Sequence, residues 1–139
     1  MKLLVTGGGG LVGSSITADF KPNRDELDLM DFFTIVDYLE ENEITHIIHC
    51  AAKVGGIKAN MEHKGEFFYD NIIMNSNVLE AARQCGVEKV VSFMSTCVFP
   101  DEATYPLSPD QIHNGEPHSS NYAYAYAKRM LEVQSRAYR

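Results

Sequence analysis

The sequence predicts an α/β fold, a doubly wound parallel sheet, and three observations lead to it. Short apolar runs of strand length alternate with stretches of helical periodicity, the pattern of parallel strands joined by helical crossovers. Four consecutive glycines, Gly7 to Gly10, stand directly after the first apolar run. The chain has 139 residues, 45% of them apolar, which suits one core of about 100 to 150 residues. One domain over 1–139 is expected.

Lys2 to Thr6 is a short apolar run ended by glycine, as a buried strand would be, and Leu11 to Phe20 follows as a helix. A second strand should close near residues 20–24. Only Ser14 to Asn23 separate Gly13 from Arg24, so this first crossover is compressed. Phe32, Ile35, Val36 and Leu39 then recur at i, i+3, i+4 and i+7 behind Asp31, an N-cap residue type. Ile44 to Ala52 and Val87 to Met94 are two further strands. Between them a helical pattern runs from about Asn60 to Cys85, placing Val78, Ala82 and Cys85 on one face, with Gly86 as its stop. Four of the five prolines lie between Pro100 and Pro117, in a loop of roughly 25 residues, and loops that long are usually functional. A helix starts near Tyr122 and runs to the chain end.

Twelve Lys and Arg against nineteen Asp and Glu give a formal net charge of -7. That balance argues against a general nucleic-acid or anionic-membrane binder, since such surfaces cluster Lys and Arg. No apolar run approaches the ~18 residues of a membrane span, and the start at Met1 meets Thr6 and the glycines before a signal-type apolar stretch forms. Cys50, Cys85 and Cys97 lack metal-type spacing and are odd in number, which reads as a reducing, cytoplasmic setting. No metal site is expected.

In open α/β sheets ligands bind beyond the carboxyl ends of the strands, which directs attention to the segments after Thr6, Ala52 and Met94. The first is Thr6-Gly7-Gly8-Gly9-Gly10-Leu11-Val12-Gly13. It reads as GxGxxG on Gly8, Gly10 and Gly13, or as TGxxGxxG on Gly7, Gly10 and Gly13. A tight turn without Cβ atoms lets backbone approach a pyrophosphate, so Gly7, Gly10, Leu11, Val12 and Gly13 are candidate cofactor contacts. The bland alternative is a flexible turn. No acidic residue precedes Arg24, which can pair with a 2′-phosphate and so favours NADP over NAD. A solvated arginine in the run Arg24-Asp25-Glu26 is the competing account. Asp28 and Leu29 could contact the adenine, with Asp28 equally able to cap a helix.

Tyr124-Ala125-Tyr126-Ala127-Lys128 is a YxxxK pattern, which a helix places on one face. Its context is Ser95-Thr96-Cys97 at the carboxyl end of a strand. A free phenol titrates near 10, so a nearby ammonium that lowers it would ease proton exchange. Ser95 would hold a substrate carbonyl, Tyr124 donate its proton, and Lys128 lower the tyrosine pKa and hold a nicotinamide ribose. The tyrosine-rich run could instead be core or interface. Cys97 by itself reads as a small hydrophobe. Cys50 and Cys85 read as core, and His46 and His49 as structural.

Taken together, TGGGGLVG, AAKVGGI, STCVFP, IHNGEPHSSN and YAYAKRM resemble the extended short-chain dehydrogenase/reductase family. They are most similar to its members that act on a GDP-linked 4-keto-6-deoxy sugar. The resemblance covers all 139 residues and only the N-terminal part of the family's chain. It implies a Rossmann-like doubly wound parallel sheet, truncated, with most of the substrate domain missing. It also implies NADP(H) as cofactor, a GDP-sugar substrate, a cytoplasmic homodimer, and an epimerase-reductase with Ser95, Tyr124 and Lys128 as reductase triad and Cys97 as epimerisation base. A neighbouring cation can bring a thiol toward working pH. Ala51, Ala52 and Lys53 to Gly56 match the family's loop over nicotinamide and sugar, and Asn71 lies near an asparagine that orders a relay water in related enzymes. The family's partner acid is a histidine further along than residue 139, which neither His113 nor His118 matches. Gly9 stands where some relatives carry a basic residue. Two other readings remain: another extended-family sugar-nucleotide epimerase or dehydratase, and a non-catalytic nucleotide-binding module.

Overall fold

The computed structural model describes all 139 residues, Met1–Arg139. Three parallel strands form one sheet in the order β1 (Leu3–Thr6), β2 (His46–His49), β3 (Lys89–Ser92). Leu4 is in register with Ile47, and Ile47 with Val90. Parallel neighbours need a crossover. Helix α1 (Phe32–Glu41) lies in the first, and α2 (Ile57–Glu62) and α3 (Lys64–Gln84) lie in the second; α4 (Tyr122–Ala137) follows β3. The parallel α/β class expected from the alternation is therefore the observed one, with shorter strands. No helix is long and apolar enough to cross a membrane.

The chain divides into two compact units, one formed by residues 1–52, 73–93 and Tyr138, the other by 53–72, 94–137 and Arg139. In the first, Leu4 and Ile47 of the sheet, Ile35 and Leu39 of α1, and Val78, Ala81 and Ala82 of α3 make one core with Leu27, Leu29 and Ile44. The 3.6-residue period of α1 is satisfied by this burial, and Cys85 packs against the same cluster. Asp31 Oδ1 accepts from Phe33 N at 3.0 Å and Thr34 N at 3.3 Å, as the N-cap pattern predicts. Asp31→Ala should destabilise the protein by about 1 kcal/mol, read as a urea midpoint shift at constant m. His49, 0% exposed, is structural as expected: Nδ1 pairs with Thr6 Oγ1 at 2.7 Å and Nε2 with Asn75 Oδ1 at 3.0 Å.

Three expectations are corrected. Leu11 to Phe20 is not a helix: a 3-10 turn, Gly13–Ser15, is its only helical part. The strand expected near 20–24 is a single bridge, Phe20 beside Leu4, with Val5 N donating to Phe20 O at 2.9 Å and Phe20 N to Leu3 O at 3.1 Å. Because Phe20 is tied to β1, the few residues before it must run extended at about 3.3 Å each, which a helix at about 1.5 Å per residue cannot match. The long helix from 60 to 85 is two helices: α2 closes at His63 (φ -122°, ψ 38°) and α3 begins at Lys64.

In the second unit, Thr96–Val98 forms a 3-10 turn that contacts α4. Buried Arg129 of α4 donates from Nε to Val98 O at 2.7 Å, fixing that turn to the helix. The proline-rich loop is closed by Asp101 N donating to Glu116 O at 2.9 Å, and His113 Nε2 pairs with Glu132 Oε2 of α4 at 3.0 Å.

Candidate active site

The glycine segment sits at the carboxyl end of β1. Gly7 has φ 71°, open to glycine at little cost, and an added Cβ there would lie 2.7 Å from Ala51 N. Gly10 N donates to Gly7 O at 3.0 Å and Ser14 N to Gly10 O at 2.9 Å, which closes two successive turns. A Cβ on Gly13 would lie 2.3 Å from Gly7 O, whereas one on Gly9 would meet nothing within 4 Å. The backbone is folded on itself at Gly7 and Gly13 and open at Gly9, a cradle that suits a pyrophosphate. Anion contact here would rest on loop N–H groups, because the three-residue turn at Gly13 carries little macrodipole.

Around this loop the candidate residues differ in setting. Leu11 and Val12 are exposed, and Ala51 and Ala52 are half-buried just after β2. Arg24 is exposed in a turn where Asn23 Oδ1 accepts from Asp25 N and Glu26 N. Asp28 caps no helix; its Oδ1 accepts from Met30 N at 3.0 Å, and the helix cap is Asp31. The Leu29 side chain belongs to the core.

In the second unit, Ser95, Cys97 and Tyr124 line one cavity of about 340 Å³ with Asn121, Asn60 and the Val54–Ile57 segment. Ser95 adopts extended backbone ahead of the 3-10 turn, and its Oγ accepts from Cys97 N at 3.3 Å. The same hydroxyl hydrogen-bonds the Tyr124 phenol. The strand end and the first turn of α4 thus bring together three residues that lie 29 positions apart in sequence at their extremes.

The Tyr124 phenol is held above its usual 10, chiefly by burial and then by negative charge on Cys97, with the Ser95 hydrogen bond acting the other way. This corrects the expectation of a lowered value. Lys128 is one helical turn further along α4 and 2% exposed. It does not line the cavity, so the geometry supports its proposed cofactor role less directly than it supports the serine and tyrosine roles.

The Lys53–Gly56 loop is held from α3. Asn71, 0% exposed, accepts at Oδ1 from Lys53 N at 3.0 Å and donates from Nδ2 to Lys53 O at 3.0 Å and Phe67 O at 2.7 Å. Its amide hydrogens are committed to backbone, which makes it an anchor of this loop and leaves no donor to order a relay water. Lys53 Nζ pairs with Asp70 Oδ2 at 2.7 Å and Glu66 Oε2 at 3.0 Å.

Motif reading passed over Asn60 and Asn121. Asn60 Nδ2 donates to Gly55 O at 2.9 Å and Gly56 O at 3.2 Å, while its buried Oδ1 has no partner. Asn121 Nδ2 donates to Cys97 Sγ at 3.0 Å, and its Oδ1 is likewise buried and unpaired. A signal for Asn121 was present: an N-cap residue type directly ahead of the α4 pattern.

A glycine turn directly after the first parallel strand, with the ligand side at the carboxyl ends of the strands, fits one class of protein, the dinucleotide-binding α/β folds. The chain belongs to the NAD dependent epimerase/dehydratase family, whose sequence profile matches residues 3–139. It is 47% identical over 147 residues to the GDP-L-fucose synthase of Dictyostelium discoideum, covering 98% of this chain and 46% of that protein. It is 43% identical to the probable GDP-L-fucose synthase of Drosophila melanogaster, covering 99% of this chain and 46% of the relative. Among solved structures, a GDP-L-fucose synthetase from Naegleria fowleri bound to NADP superposes with a TM-score of 0.86 at 42% identity, covering 98% of this chain and 44% of that one. The chain therefore spans about half the length of the relatives it matches.

Proposed function

We propose that the protein is an NADP(H)-dependent epimerase-reductase that converts GDP-4-keto-6-deoxy-D-mannose to GDP-L-fucose. The observation that carries this reading is the cavity in which Ser95, Cys97 and Tyr124 meet. The family likeness and an NADP-bound relative support it. A cytoplasmic homodimer accompanies this reading by likeness to the family.

Hydrogens on C3 and C5 of the sugar are acidic because each lies α to the C4 ketone. In this reading Cys97 removes them in turn, the Ser95 hydroxyl and Tyr124 phenol hold the oxygen on which charge develops, and the family's histidine acid, further along than residue 139, would return a proton from the opposite face to invert each carbon. The Gly7–Gly13 loop would hold the pyrophosphate of the dinucleotide, and the reduced nicotinamide would supply hydride for C4 when bound; in the second unit Lys128 is the residue that the family likeness assigns to the nicotinamide ribose. Tyr124 then gives its proton to the C4 oxygen. A raised phenol pKa keeps that proton in place at neutral pH.

The test is NADPH consumption with product analysis, comparing GDP-4-keto-6-deoxy-D-mannose with a UDP-linked 4-keto sugar. Turnover confined to the GDP substrate is expected; preference for the UDP sugar, or NADPH binding without turnover, would replace this reading. Arg24→Ser should raise KM for NADPH about tenfold with little effect on NADH, by loss of the 2′-phosphate partner.

A further inference from the structure

We infer that Asn121 is a positioning residue of the site, holding the Cys97 sulfur as a hydrogen-bond acceptor and so favouring its thiolate. The inference rests on the proposed role of Cys97 as base. Asn121 occupies the position before α4 at which an asparagine ordinarily accepts from the N–H groups of the first helical turn, and its own carbonyl already accepts the first intrahelical bond, from Ala125 N at 3.0 Å. Its side chain forgoes that cap. Oδ1 is buried with no partner, and Nδ2 points instead at Cys97 Sγ, 3.0 Å away. A helix start that leaves a capping oxygen unused in order to direct an N–H at a sulfur is costly as a structural device, because an unpaired buried acceptor loses its hydration. It makes sense for a sulfur that carries negative charge, since a hydrogen bond to the charged form favours that form. The other titratable group facing this sulfur is Tyr124, from α4. The Cys97 N–H is committed to Ser95 Oγ, so the turn that carries the sulfur is itself fixed.

Asn121→Ala separates this role from a structural one, because it removes the N–H donor without adding a charge beside the sulfur. Asn121→Asp supplies a residue that caps helices well and is read for stability only. The rate of iodoacetamide alkylation at each cysteine, followed by mass spectrometry across pH, is the readout, with Cys50 and Cys85 as internal references. In Asn121→Ala the alkylation of Cys97 at neutral pH should be roughly tenfold slower. Asn121→Ser, which keeps a hydroxyl donor, should restore part of the rate. The Tm of Asn121→Asp should equal or exceed that of the parent. An unchanged Cys97 profile in Asn121→Ala, with the reference cysteines also unchanged, would overturn the inference. Failure of the base assignment looks different: Cys97→Ser would retain solvent exchange at C3 and C5 while the Asn121 variants still shifted the alkylation profile.

Discussion

Tyr124→Phe should lower kcat for reduction of the 4-keto sugar by about a thousandfold, within the range general acids supply, with NADPH affinity changed less than about twofold. Phenylalanine keeps the ring that lines the cavity and deletes only the hydroxyl, so lost proton donation and lost packing are separated. Ser95 Oγ retains the Cys97 N–H as partner. The pH dependence follows from the direction of the shift. Burial and the charge on Cys97 disfavour phenolate, so the donor stays protonated through neutral pH and activity is lost only where the phenol ionises, above its usual 10. Cys97→Ser removes one cause of the rise, and the basic limb of the reductase step should move down. A basic limb that moved upward would contradict this electrostatic account.

Gly13→Ala is expected to damage the other half of the machinery. Its new Cβ would lie 2.3 Å from Gly7 O and 2.9 Å from Gly7 C, both backbone atoms of the turn that forms the cradle. Backbone cannot move aside as a flexible side chain can, so the loop must open. The cost should be about 2–3 kcal/mol of stability, the upper range for overpacking, with NADPH binding reduced at least about a hundredfold. Gly9→Ala is the control. Its Cβ meets nothing within 4 Å, and stability should stay within about 0.5 kcal/mol of the parent. Equal stability of the two variants would show that the loop does not adopt this turn.

The parts of the fold that were legible from sequence are those in which one local signal and the burial pattern agree. Helix α1 is the clearest case, since Asp31 caps it and Ile35 and Leu39 are core residues at the expected spacing. The misread segment, Leu11 to Phe20, fails because its geometry is set at a distance: Phe20 pairs with β1, and Asp19 Oδ2 accepts from Leu3 N at 2.8 Å. Nothing within ten residues announces either contact. The break at His63 was hidden because it falls in the polar stretch Glu62 to Glu66, which has no proline to mark a helix end. At the site, the meeting of Ser95 and Tyr124 on one cavity was legible from the strand end and the YxxxK pattern, whereas Asn60 and Asn121 are placed by amide hydrogen bonds that no spacing rule encodes. The direction of the Tyr124 shift was also out of reach, since it depends on burial and on Cys97, 27 residues away in sequence.

The central claim is that one cavity exchanges protons α to a ketone and then protonates its oxygen as hydride arrives. Incubation with GDP-4-keto-6-deoxy-D-mannose and 4-deuterated NADPH, in separate runs in water and in deuterium oxide, tests it directly by mass spectrometry and NMR of the product. The account predicts cofactor deuterium at C4 in the first run and solvent deuterium at C3 and C5 in the second. Deuterium at C4 with none at C3 or C5 would contradict the epimerase role of Cys97, and absence of label at C4 would contradict the reductase role of Ser95 and Tyr124.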